Sequence, residues 1–264
     1  EYVLEKDPQH KEAIALYGEA LFLTHRYSAA IDAYRQSIGS GLAQDPDWAV
    51  RINLGMGKVT RELGEFGASI AALGEALQAD PNNREVYREL SVSYDSAQLF
   101  EDAWQATIAA RPKDPEDIKD AIWFADRAID LQSRPGLDQE DVIGQALVVL
   151  NESLEVASDR VDLLISLTRV QIQLSEYEAA IQTIKQVLES DITAVKDELE
   201  LHEIITDLRT AAALCLELGE PKYAVISLEK ILSLTQDFNE RNDLYRVIQN
   251  VDVVDLLKEI GRYQ

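Results

Sequence analysis

Few stretches of this sequence combine residue types and spacings that could do chemistry. His202-Glu203 has the start of a zinc-protease motif, in which two histidines one helical turn apart hold the metal and the glutamate acts as base. The second histidine would stand at position 206, and Thr206 is there. Gly55-Met56-Gly57-Lys58 superficially matches a phosphate-binding loop. It lies inside a helical pattern, however, and no complete GxxxxGK[ST], GxGxxG or GxSxG pattern occurs. Cys215, the one cysteine, sits mid-helix in Ala-Ala-Ala-Leu-Cys-Leu and reads as a buried, inert thiol. A single cysteine permits neither an intrachain disulfide nor a cysteine metal site. His10, His25 and His202 are far apart, and 48 carboxylates guarantee chance neighbours, so no acid pair is singled out. The expectation is a noncatalytic chain with no catalytic, cofactor-binding or metal-binding residues.

The residues that remain are suited to binding. Arg51, Leu54, Lys58 and Arg61 are spaced i, i+3, i+7, i+10, which puts them on one face of a helix. They stand out in a chain of 264 residues with 48 Asp and Glu against 25 Lys and Arg, a formal charge of −23. Arginine pairs bidentately with carboxylates, so the patch is a candidate site for an acidic partner. The alternative is internal pairing with Glu62, Glu85 or Glu89. The overall acidity argues against nucleic acid, which demands a basic footprint, and against anionic membrane surfaces. No apolar run approaches the roughly 20 residues that span a bilayer. The chain starts at Glu1 without an initiator Met and is read as an excised fragment; it is placed in the cytoplasm by default, with an upstream targeting signal left open.

These side chains need elements to position them, and an internal repeat supplies the pattern. Phe66 and Phe100 lie 34 residues apart, as do Asp80-Pro81 and Asp114-Pro115. With Gly64-Glu65-Phe66 and Leu99-Phe100-Glu101 before them, these segments resemble the tetratricopeptide repeat, a helix–turn–helix unit of about 34 residues. In its register the first repeat carries Gly18, Tyr27, Ala30 and Tyr34, and the second carries Gly57, Phe66, Ser69, Leu73, Ala76 and Pro81. The third carries Ser91, Tyr94, Phe100, Ala103, Ala110 and Pro115. A degenerate fourth uses Ala125, Ala146 and Leu150, the fifth Thr168, Tyr177, Ala180 and Ile184, and the sixth Ala212, Ala224 and Leu228. Small residues let paired helices approach, and proline ends a helix, after which Asn82, Asn83 or Asp117 is placed to cap the next.

The resemblance implies an all-α fold, a right-handed superhelical solenoid of antiparallel helix pairs in one continuous domain. Residues 1–10 form the tail of a preceding repeat (Val3-Leu4, Asp7-Pro8). Residues 11–49, 50–83 and 84–117 form repeats one to three. Residues 118–160 form repeat four with a turn insertion near Pro135-Gly136. Residues 161–194 form repeat five, 195–238 repeat six with an extended first helix, and 239–264 a capping helix or helices.

The resemblance further implies that the first helix of each pair lines a groove receiving a peptide or protein segment. Candidate groove contacts are Arg51, Leu54, Lys58 and Arg61, joined by Arg88, then Lys119 and Ile122, then Arg169 and Arg209. Glu12, Glu19, Phe22, Glu85, Val92, Asp95, Asp126 and Ile172 face the same way. A clamp of lysine, asparagine and arginine residues for a partner's C-terminal carboxylate, known in some proteins of this kind, is not supported, because its first two positions hold Ala15 and Glu19 in repeat one and Leu54 and Lys58 in repeat two, and its asparagine pair is absent. The function expected is a protein-binding scaffold. Self-association through terminal repeats, and a regulatory part of a larger enzyme or transcription regulator, are the alternatives.

Overall fold

The computed structural model describes residues 6–7, 9–158, 160–189 and 198–242. The expected repeat tail at Val3-Leu4 and the expected terminal helices beyond residue 242 lie outside them. The described residues form helices and turns and contain no strand. The chain groups into two compact units, Glu1–Arg111 with Ser133–Leu137, and Pro112–Gln132 with Asp138–Gln264.

The first unit contains helices α1 (Lys11–Leu23), α2 (Tyr27–Gly39), α3 (Pro46–Glu62), α4 (Phe66–Ala79), α5 (Arg84–Ser96) and α6 (Phe100–Ala109). Each odd-numbered helix pairs with the next across a three-residue turn, and α1, α3 and α5 also touch in succession. The second unit repeats this plan with α7 (Ile118–Leu131), α8 (Gln139–Val156), α9 (Val161–Gln173), α10 (Tyr177–Glu189), α11 (Glu198–Glu217) and α12 (Pro221–Asn242). Here α7, α9 and α11 touch in succession.

Local chemistry sets where these helices start. Asp45 caps α3, its carboxylate accepting from the Asp47 and Trp48 amides, with Pro46 in the first turn where no amide is needed. Asn83 caps α5 by accepting from Val86 N at 3.2 Å. Asp117 precedes α7 but makes no side-chain cap; Asp114 instead accepts from Glu116 N at 3.0 Å, holding the turn before it.

The turns within pairs share one geometry. The middle residue is left-handed at His25 (φ 58°), Gly64 (φ 76°), Gln98 (φ 61°), Ser175 (φ 60°) and Gly219 (φ 73°). The next residue donates its amide back into the helix, as Arg26 N does to Leu21 O and Leu99 N to Tyr94 O, both at 2.8 Å. These are Schellman closures, which satisfy carbonyls at the helix end. Pair α7–α8 differs, being joined by residues 132–138 with Gly136 at φ 88°.

The repeat register is a packing register. Ala30, Ser69, Ala103, Ala125, Ala146, Thr168, Ala180 and Ala224 are fully buried. Tyr177, read as the aromatic at the turn of repeat five, is instead 49% exposed.

Candidate functional site

The face of α1, α3 and α5 carries Arg51, Lys58 and Arg61, singled out by sequence, and each of these three meets a carboxylate of the same chain. Arg51 forks onto Glu19, Nε to Oε1 and Nη2 to Oε2, the latter at 2.7 Å. Its guanidinium also lies 5.4 Å from the Trp48 ring centroid. The Glu19 hydrogen bond pushes the Arg51 guanidinium further above its ordinary pKa. Lys58 Nζ sits 2.8 Å from Glu85 and 3.7 Å from Glu89. Arg61 pairs closely with Glu89, and its Nη2 is 3.8 Å from Glu62. The ladder therefore alternates in sign across three helices and neutralises itself. Internal pairing is the arrangement in the structure, with Glu62, Glu85 and Glu89 as read from sequence and Glu19 in addition.

Between the rungs lies a cleft of about 340 Å³ lined by Glu19, Phe22 and Leu23 from α1, Tyr34 from α2, Arg51, Leu54, Gly55 and Lys58 from α3, and Glu85 from α5. Leu23, at the last turn of α1, is 75% exposed beside it. Three of the candidate contacts, Arg51, Leu54 and Lys58, meet in this cleft. Arg61 stands one turn further along α3, and Arg88 is half-buried on α5. Asp95, also on α5, is engaged by Arg134 (Nε to Oδ1 3.0 Å).

In the second unit, Arg169 on α9 pairs closely with Asp126 on α7. Burial raises the Asp126 carboxyl above its ordinary pKa, and Arg169 opposes that shift. Arg169 also lines a smaller cleft with Ile129, Ile172, Gln173, Leu214 and Glu217. Lys119 and Ile122 on α7 and Arg209 on α11 line neither cleft. Leu23, Tyr34 and Gly55 escaped the sequence reading of the groove. Leu23 had a signal, being an apolar residue at a helix end with no place in the repeat register.

Residues 54–118, spanning α4, α5 and α6, part of α3 and the first residue of α7, match the family model of the tetratricopeptide repeat. That segment carries the tetratricopeptide repeat. Solved structures agree on the fold. A tetratricopeptide repeat protein from Parabacteroides merdae is 13% identical with a TM-score of 0.57, covering 95% of this chain and 98% of its own. PilF of Pseudomonas aeruginosa is 13% identical with a TM-score of 0.53, covering 88% of this chain and 96% of its own. No curated protein matches the sequence. The tetratricopeptide architecture accounts for the site's placement, since the first helix of each pair contributes a row of side chains to one face. Among the described residues no cluster of three or more His, Cys, Asp or Glu is set to hold a metal ion, and no helix is long and apolar enough to cross a membrane.

Proposed function

We propose that the chain is a noncatalytic scaffold that binds a peptide or protein segment along the α1–α3–α5 face. The observation that carries this reading is the cleft itself, where exposed Leu23 stands with Phe22 and Leu54 between two charged rungs. Rigid helices display these groups, so the receptor loses little entropy on binding. The ladder changes the expected partner. An acidic segment would have to displace Glu19, Glu85 and Glu89 from bases they already neutralise, so apolar insertion is the main contact, with the rungs serving as a polar rim. Selection of displayed peptides on the whole chain tests this. Selected peptides should bind the wild type and lose at least about tenfold in affinity to the Leu23→Glu variant, whose fold is unaffected because Leu23 is exposed. Equal binding by the variant would remove the cleft from the account.

Self-association is a second reading. A separate recess on the first helix pair, lined by Ile14, Tyr17, Leu21, Ala29, Asp32, Ala33 and Gln36, is mostly apolar and suited to a helix of a second copy. Sedimentation across a concentration series decides it, since a strict monomer at high concentration rules it out.

A further inference from the structure

The α1–α3–α5 cleft is lined by a hydroxyl that makes no hydrogen bond to another described residue. Tyr34 is 1% exposed. Its ring lies close against Gly18 and its tip stands against Gly55, which itself lines the cleft. No hydrogen bond joins its phenol to another described residue, and the phenol oxygen is not among the buried polar atoms that lack a partner, so it opens onto the cleft. Burial and the Glu19 carboxylate raise the phenol well above its ordinary pKa, with Arg51 opposing. The group therefore keeps its proton and offers both a donor and an acceptor. Above it the walls are the apolar side chains of Phe22, Leu23 and Leu54, and the rim holds the cations of Arg51 and Lys58, which favour the face of an aromatic ring. The volume, about 340 Å³, is at the lower end of ligand pockets and suits one inserted side chain.

We infer that the cleft receives a single aromatic side chain with a polar tip, tyrosine or tryptophan, whose hydroxyl or indole N–H hydrogen-bonds the Tyr34 hydroxyl. This rests on the groove reading above and names the residue that the groove selects. The apolar body replaces water against Phe22 and Leu54, and the tip hydrogen-bonds the Tyr34 hydroxyl in place of water. A phenylalanine fits the walls but leaves the floor unpaired, so the site discriminates by one hydrogen bond.

The test is a titration of the isotope-labelled chain with N-acetyl-tyrosinamide, N-acetyl-tryptophanamide and N-acetyl-phenylalaninamide, read at the backbone amides of Phe22, Leu54 and Gly55. The first two should bind about three- to tenfold tighter than the third, the range that one hydrogen bond gives. In Tyr34→Phe, which keeps the ring that fills the gap between the glycines, the three should bind within about twofold of one another. Equal binding of all three probes to the wild type, a preference that survives Tyr34→Phe, or undisturbed cleft amides would each overturn the inference. A displayed peptide that loses affinity to Leu23→Glu yet binds Tyr34→Phe unchanged would keep the groove reading and remove only the aromatic site.

Discussion

Gly55 exists where it does because of Tyr34. A Cβ at position 55 would lie 2.5 Å from Tyr34 Cζ and closer still to the phenol oxygen. The same ring also crowds α1, since a Cβ at Gly18 would lie 2.9 Å from Tyr34 Cε1. Two glycines on two helices thus make the slot for one aromatic ring, and that slot sets the depth of the cleft.

Gly55→Ala should therefore destabilise the chain by up to about 2 kcal/mol in urea unfolding. The overpacking cost of about 1–3 kcal/mol outweighs the gain of up to about 1 kcal/mol from replacing glycine inside a helix. Gly74, on α4 with nothing within 4 Å of a built Cβ, is the control, and Gly74→Ala should stabilise by up to about 1 kcal/mol. Pairing Gly55→Ala with Tyr34→Leu should recover part of the loss.

This contact also marks how far the sequence could be read. Gly18, Ala30 and Tyr34 were legible because they recur within one repeat at the spacing that closes a helix pair. Gly57, the small residue of the second repeat, was legible for the same reason and faces Leu73. Gly55 was not, because its partner belongs to the preceding repeat and no spacing within one repeat records contacts between repeats. The charges behaved similarly. Glu85 and Glu89 were foreseen as partners of the basic face, but Glu19, 32 residues from Arg51, was read as a groove residue in its own right. The phenol that lines the cleft depends on side-chain placement that residue type alone does not give.

Reversing the ladder should cost stability. The Arg61 and Glu89 side chains are only 17% and 20% exposed, so their pairing is less screened than a surface ion pair. Lys58→Glu with Arg61→Glu would gather four carboxylates at positions 58, 61, 85 and 89, with an expected loss of about 1–3 kcal/mol. Adding Glu85→Lys and Glu89→Lys should restore most of it, as read by urea melts at low salt.

The left-handed turns predict a gain. Gln98 is exposed at φ 61°, a conformation that costs most residues about 1–2 kcal/mol and glycine nothing. Glycine loses part of that in chain entropy, so Gln98→Gly should stabilise by about 0.5–1 kcal/mol, whereas Gln98→Ala should not.

Cys215 should make stability depend on alkaline pH. Burial, with a smaller contribution from Glu220, pushes its thiol from 9.0 up to about 12. The fold thus favours the protonated form. That contribution is whole below about pH 9 and fades as pH rises toward 12. The stability difference between wild type and Cys215→Ala should shift against the wild type between about pH 8 and about pH 10.5, while titrations common to both cancel. A constant difference would mean that the thiol is not held in an apolar site.

The central claim is that the α1–α3–α5 face is where a partner segment lies. Amide hydrogen exchange, measured on the free chain and on the chain saturated with a selected peptide, tests it most directly. The account predicts added protection in α1, α3 and α5, centred on Phe22, Leu54 and Gly55. Protection confined to α2, α4 and α6 would contradict it.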